Sequence, residues 1–437
     1  MTNKVIQRLA LFLAAGTGLW GQGSLTVSDA IRKAWVDQAG LKAGQAMVDS
    51  RKAEAEGYRD LRLPTLTLQA QGVRTNEPMM AFGIKLNQAR IGMADFNPLT
   101  LNHPDAIGAY GGSAVIQQPL YTGGRITAAR KAGDYMAQAE AASQERRKQE
   151  TALAVVQAYF GAEVAEQAMK WVQDTETWVK GMEDFVGARV NQGLMLESEL
   201  QRLKAFHAQV DAQKAEVTMQ IHSARSGLGL LLGQGPVEGD LATPLEPVST
   251  APAAAQGRRS DLVAAELQAK AASEGAKAAK GNNLPEVGLE LGAGTLHHSW
   301  SQKGDWTWAG VGVKWKVFSA PDLAKARAAR AQAQAAKDME TFKTQQAEHE
   351  TRVAREAVTA AEARYAAAKD ALAAAEESRR LREARHKEGL APLIEVLDAE
   401  AAVQGARTLI LQSLYELRVS RASLDLATGT PIEGVQP

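Results

Sequence analysis

In the stretch Leu63-Pro64-Thr65-Leu66-Thr67-Leu68-Gln69-Ala70-Gln71-Gly72 the period of the sequence changes. Pro64 ends a polar, Ala-containing helical pattern that opens on the cap candidates Ser28 and Asp29 and runs to about Arg62. Beyond it Leu66, Leu68, Ala70 and Gly72 alternate with Thr65, Thr67, Gln69 and Gln71, which predicts a strand with one apolar and one polar face. A loop rich in Gly, Pro and Asn is expected from about Thr75 to Gly112, followed by a second strand over Ser113 to Tyr121. Gly123-Gly124 breaks that strand, and from Arg125 to the next proline, Pro236, the composition is helical, with one interruption at Asn191-Gln192-Gly193. An unbroken arm of about 65 residues at 1.5 Å per residue is on the order of 100 Å long, which no globular core requires.

The plan then repeats. Leu284-Pro285 follows Leu63-Pro64 by 221 positions, after a polar helical stretch from Ser260. Val287, Leu289, Leu291 and Ala293 alternate with Glu286, Gly288, Glu290 and Gly292 as a third strand. A fourth is expected over Thr307 to Phe318, with Ala309, Val311, Val313, Trp315 and Val317 set against Gly310, Gly312, Lys314 and Lys316. Ala-rich helix resumes at Pro321-Asp322, where proline suits a first turn. The second arm breaks at His386-Lys387-Glu388-Gly389; Gly193-Leu194 and Gly389-Leu390 are 196 positions apart, as are Leu228 and Leu424, and Gly233 and Gly429. Spacing held over a whole returning helix marks an internal duplication. The copies differ in their hairpins, since Pro64 to Pro119 spans 55 positions and Pro285 to Lys316 only 31. The expected divisions are a leader over 1–23, a first repeat over 24–232, a linker over 233–258, a second repeat over 259–430 and a tail over 431–437.

Lys4 and Arg8 precede an apolar run, Leu9 to Trp20, and small residues at Gly21 and Gly23, the pattern of a secretory signal peptide. The run is too short to span a bilayer, and no other stretch approaches the ~20 apolar residues of a membrane helix. Any part of the chain that enters a membrane is therefore expected to do so as strands. Lys plus Arg equals Asp plus Glu at 50 each, so no bulk field gathers nucleic acid, and none is expected as a partner. The absence of cysteine excludes disulfides, thiolate metal sites and a thiol nucleophile.

Four amphipathic strands cannot close a membrane barrel, because eight is the usual minimum and an open edge in lipid leaves backbone groups unpaired. Several copies must share one barrel, apolar positions toward lipid and polar ones toward a wet lumen, with Trp306, Trp308 and Trp315 supplying part of an interfacial aromatic belt. The helices are long, Ala-rich and weakly apolar, and lateral association into a coiled-coil wall would bury their narrow seams. One alternative reads the strands as a soluble sheet packed on one face; another reads the chain as a periplasmic coiled-coil scaffold or adaptor protein without channel activity, which accounts for the Ala-rich helices but not for four amphipathic strands.

Three features together resemble the TolC-type outer-membrane efflux protein family: Gln118-Pro119-Leu120-Tyr121-Thr122-Gly123-Gly124-Arg125 at the strand-to-helix junction, Leu-Pro before strands one and three, and Glu388-Gly389-Leu390 with Leu393-Ile394-Glu395-Val396-Leu397-Asp398-Ala399. The resemblance implies a mainly α fold with a small membrane β-barrel contribution, in which a long α-helical barrel joins four strands per protomer of a shared twelve-stranded barrel. It implies a homotrimer in outer-membrane lipid, with the helical part in the periplasm. Such a protein is the passive exit duct of a tripartite efflux or type I secretion system, working with a periplasmic adaptor and an inner-membrane pump.

By the same resemblance Gly193, Leu194, Gly389 and Leu390 lie at the adaptor-docking tips, and Glu395 and Asp398 line the periplasmic constriction. Glu199 is the first-repeat counterpart of Glu395, but Arg202 stands where a second acid would be. A spacing of three puts Glu395 and Asp398 on one helical face, and threefold symmetry would make six carboxylates ring a lumen that favours cations. Ala391 stands where some relatives place an Arg that helps lock the closed tip. Neither catalytic constellation nor cofactor or metal is implied: the seven His are scattered, His297-His298 lack ligand spacing, and the Gly16 to Gly21 glycine pattern lies in the leader without a preceding strand. An enzyme is not expected.

Overall fold

In a computed structural model, which describes residues 24–247, 258–298 and 304–435, Pro64 separates helix from strand as expected. The order is α1 (Val27–Asp37), α2 (Ala39–Asp60), β1 (Thr65–Thr75), α3 (Pro78–Asn87), a 3-10 turn (Met93–Phe96), α4 (Pro98–Asn102) and β2 (Ile107–Thr122). The long α5 (Arg125–Asn191) and α6 (Glu197–Leu231) complete the first pass. The second pass is α7 (Ser260–Gly281), β3 (Glu286–His297), β4 (Asp305–Lys314), α8 (Ala320–Lys387) and α9 (Leu393–Thr428), then a 3-10 turn (Ile432–Gly434). Helix, strands and two long helices thus recur in the same order. The leader expected over 1–23 lies outside the described residues, as does much of the linker, 248–257.

Several boundaries differ from expectation for local reasons. The first cap is Thr26, not Ser28 or Asp29: its Oγ1 accepts from the Asp29 N–H, and Asp29 sits in the first turn, where a carboxylate favours the helix dipole. The opening helical stretch is two helices, because Gln38 takes extended backbone between them. The stretch read as loop, Thr75 to Gly112, holds α3 and α4, each started by a proline (Pro78, Pro98) in the first turn. β2 begins at Ile107 rather than Ser113, since Gly108, Gly111 and Gly112 mask an alternation that Ile107 and Ala109 continue. β4 ends at Lys314, so Trp315 and Val317 lie beyond the strand.

The chain divides into two compact units, neither of which follows a single repeat: Met1–Gly44, Gln144–Ser260 and Gln345–Pro437 form one, and Gln45–Ser143 with Asp261–Thr344 the other. The core of the first gathers Ile31, Val155, Tyr159, Phe160, Leu228 and Leu232. Tyr159 and Phe160 meet edge to face at 5.3 Å, and the Tyr159 hydroxyl donates to the Leu25 carbonyl while accepting from the Thr243 N–H. A phenol buried in this way meets its hydrogen-bonding demand without water.

The second unit carries the sheet, an antiparallel meander in the order β1-β2-β3-β4. Its register sorts the side chains. Leu66, Ile116, Leu291 and Ala309 form one cross-strand row, and Leu68, Ala114, Ala293 and Thr307 the next, on one face. Thr65, Gln117, Glu290 and Gly310 lie on the other, where Gln117 donates to Glu290. The apolar face is bare: Leu68 is 74% and Val313 70% exposed. β1 and β4 pair on one side only, so the sheet has two open edges. Among the described residues no helix is long and apolar enough to cross a membrane.

Candidate functional site

The two helix-to-helix turns in the first unit are built alike. α5 ends with Gly193 at φ +74°, whose N–H donates to the Val190 carbonyl while the Leu194 N–H donates to that of Arg189. α8 ends with Gly389 at φ +78°, and Leu390 donates to Arg385 in the same way. Each is a left-handed cap that satisfies the last carbonyls, a conformation that costs a side-chain-bearing residue roughly 1–2 kcal/mol. Added carbon at either glycine would meet no neighbour, so backbone conformation alone demands glycine there. Leu194 and Leu390 stand exposed beside these turns.

Glu199 and Glu395 occupy the first turns of α6 and α9, where a carboxylate is favoured by the helix dipole. Leu203 of α6 and Leu393, Val396 and Leu397 of α9 share one buried cluster, which brings the two helix starts to the same end of the unit. Glu395 is half-buried and Asp398 exposed. Among the described residues neither carboxylate, nor that of Glu199, meets a hydrogen-bond donor or a cation; Arg382 reaches only the Glu395 backbone carbonyl, at 3.3 Å. Three uncompensated acids at one end of a unit attract cations from solvent.

Two neighbouring polar groups give no sign in the sequence. Glu400, 0% exposed, accepts from Arg379 Nη1 at 2.8 Å and from Thr175 Oγ1 at 3.2 Å. Arg379 lies over the Trp178 ring, whose Nε1 donates to Glu383. His386 is buried edge-on to Phe185 and donates from Nδ1 to the Ala391 carbonyl at 2.8 Å. An imidazole thus ties the end of α8 to the turn that leads into α9. Glu176, His207 and Asp211 bring ligand-type atoms within 4.8 Å of one another, but Lys180 and Lys214 occupy the Glu176 carboxylate and His207 faces Glu183. Hydrogen bonds from those two lysines hold the Glu176 carboxyl down, to about 2. The cluster is an ion-pair network whose ammonium groups would repel a metal ion.

A profile of the outer membrane efflux protein family matches residues 30–234 and 251–430. The chain belongs to that family. Among solved structures, the outer membrane protein VceC of Vibrio cholerae is 19% identical with a TM-score of 0.79, over 93% of this chain and 96% of that one. The open-state MtrE outer membrane channel of Neisseria gonorrhoeae is 20% identical with a TM-score of 0.78, over 94% and 90%. A membrane protein of Pseudomonas aeruginosa is 18% identical with a TM-score of 0.80, over 94% and 91%. At these identities the structures show a shared fold. No sequence among curated proteins is similar enough to count as a relative.

This outer membrane efflux protein is a transport channel subunit and not an enzyme. One face of its sheet carries bare Leu and Val side chains. Its tryptophans correct one expectation. Trp306 pairs with Gly294 and Trp308 with Gly292, so both lie on the face of Thr67, Gln69 and Glu290, opposite Val311 and Val313. Their rings lie over those two glycines, where any Cβ would collide with an indole. The three tryptophans therefore do not share one face: 306 and 308 have the opposite parity to 315. Trp315, in phase with Val313, lies past the strand end and donates from Nε1 to the Asn283 carbonyl.

Proposed function

We propose that this outer membrane efflux protein works as a homotrimer, giving four strands per copy to a twelve-stranded barrel and its long helices to an α-helical barrel in the periplasm. The observation that carries the reading is a four-stranded antiparallel sheet with one bare apolar face and two open edges. Edges in lipid must be paired, and β4 of one copy runs antiparallel to β1 of the next, so three sheets close with every neighbour antiparallel. Of the three tryptophans, Trp315 is the one suited to the lipid interface.

The same reading makes the protein the passive exit duct of a tripartite efflux or type I secretion system. Gly193-Leu194 and Gly389-Leu390 present the exposed leucines that a periplasmic adaptor would cover, and an inner-membrane pump supplies the energy. Glu395 and Asp398, with Glu199 at the neighbouring helix start, form the acidic constriction. Replacing Glu395 and Asp398 together by Ala is expected to lower the cation preference of the channel in a planar bilayer. Unchanged ion selectivity would remove the acidic ring from the account. Release of the protein from outer membranes by high salt without detergent would remove the barrel.

A further inference from the structure

The insertion between β1 and β2 folds onto one chosen face of the sheet. α3 buries Ala81 and Ile84 against Val73, Ile107, Ala109 and Leu296. Val73 continues the set Thr67, Gln69 and Gln71; Ile107 and Ala109 pair with Thr75 and Val73, and Leu296 pairs with Gly111. All belong to the polar face. The insertion is an ordered element, since Lys85 pairs with Asp95 at 2.8 Å, Asp95 accepts from the Gly92 N–H, and Phe82 meets Phe96 edge to face at 6.1 Å. Its outward side is nevertheless apolar: Met93 is 89% and Leu99 76% exposed, with Met79, Leu86 and Phe96 also bare.

We infer that this apolar surface meets its own copies, so that three insertions pack against one another and narrow the outer mouth of the channel. The inference rests on the trimeric barrel proposed above. In such a barrel the polar face is the inner one, so a helix on that face points its far side toward the axis. Twelve strands about 4.8 Å apart and tilted about 40° enclose a barrel roughly 25 Å across, measured at the backbone. Three helices of about 10 Å diameter, each resting on side chains of the inner face that narrow the opening further, take up most of it and come within side-chain reach of one another. An apolar surface left in a wet lumen is costly, and burial against identical surfaces removes the cost. Methionine at Met79, Met80 and Met93 suits a contact that re-forms after cargo has passed, because its flexible thioether chain repacks readily.

The absence of native cysteine allows a direct test on the full-length protein. Met93→Cys and Leu99→Cys variants are purified in detergent, their oligomer mass is measured, and they are oxidised before reconstitution. A trimer whose chains cross-link through either introduced thiol, with Val313→Cys on the apolar face remaining uncross-linked, is the expected result. A triple variant with Ser at Met93, Phe96 and Leu99 is expected to raise single-channel conductance about twofold, as a wetted constriction should. A trimer that neither cross-links at these sites nor changes conductance in the triple variant would overturn the inference while leaving the trimer intact. A bimane label on the thiol of the Met93→Cys variant, if quenched by spin-labelled lipid, would overturn it too, since the surface would then lie in the membrane. A monomeric mass would instead overturn the trimeric reading on which it rests.

Discussion

Gly389 takes φ +78° with open space around its α-carbon, so its replacement isolates backbone strain from packing. Gly389→Ala is expected to lower unfolding stability by roughly 1–2 kcal/mol, read from denaturant midpoints, and Gly193→Ala by a similar amount. No loss in either would mean that the turns relax freely. Glu400 is the sharper case. Removing a fully buried carboxylate strands Arg379 and Thr175, and Glu400→Ala is expected to cost about 3–5 kcal/mol. A loss below about 1 kcal/mol, the range of exposed pairs, would show that the pair contributes as surface pairs do. Asp425 makes the pH prediction. Burial raises its carboxyl to about 6, partly opposed by a hydrogen bond from Thr430 and raised further by Glu433. A carboxyl whose folded value exceeds its unfolded one binds its proton more tightly when folded, so its contribution to stability grows as pH falls from about 6 toward 4. Wild type should therefore gain in melting temperature relative to Asp425→Asn between about pH 7 and pH 5; parallel curves would contradict the shift.

At the scale of elements, the strands and long helices were legible because each announces its period: Leu66 and Leu68 against Thr65 and Thr67, and Ala-rich runs between glycine breaks. α3 was not legible. Pro78-Met79-Met80-Ala81-Phe82-Gly83 offers neither a helical nor a strand period, and its fold is decided by Ala81 and Ile84 docking on Val73, Ile107 and Ala109 of the flanking strands and on the distant Leu296. The tryptophans misled because their apolar rings were read ahead of their parity: Trp306 and Trp308 are in step with Gly310, Gly312 and Lys314, the polar set of β4, which reaches back to Asp305 and so includes them. Glu400 and His386 lie on helices dense in Glu, Arg and Lys, where burial leaves no trace in composition. The two faces of the sheet yield a paired prediction. Leu68→Arg puts a charge midway along the apolar face and, with that face in lipid as proposed, is expected to cost about 2–4 kcal/mol, whereas Thr67→Arg on the polar face should be tolerated. The yield of heat-stable oligomer in outer membranes reads the difference, and equal yields would contradict the assignment of faces.

For the molecule as a whole, one chain offers half of what it needs: a sheet with two open edges, weakly apolar helices and leucines bare at both turns. Membership of the outer membrane efflux protein family fits a protein completed only by copies of itself. The most direct measurement is the oligomer mass of the detergent-purified protein together with its single-channel conductance in a planar bilayer. The account predicts a trimer with discrete, cation-preferring openings; a water-soluble monomer without conductance would contradict it.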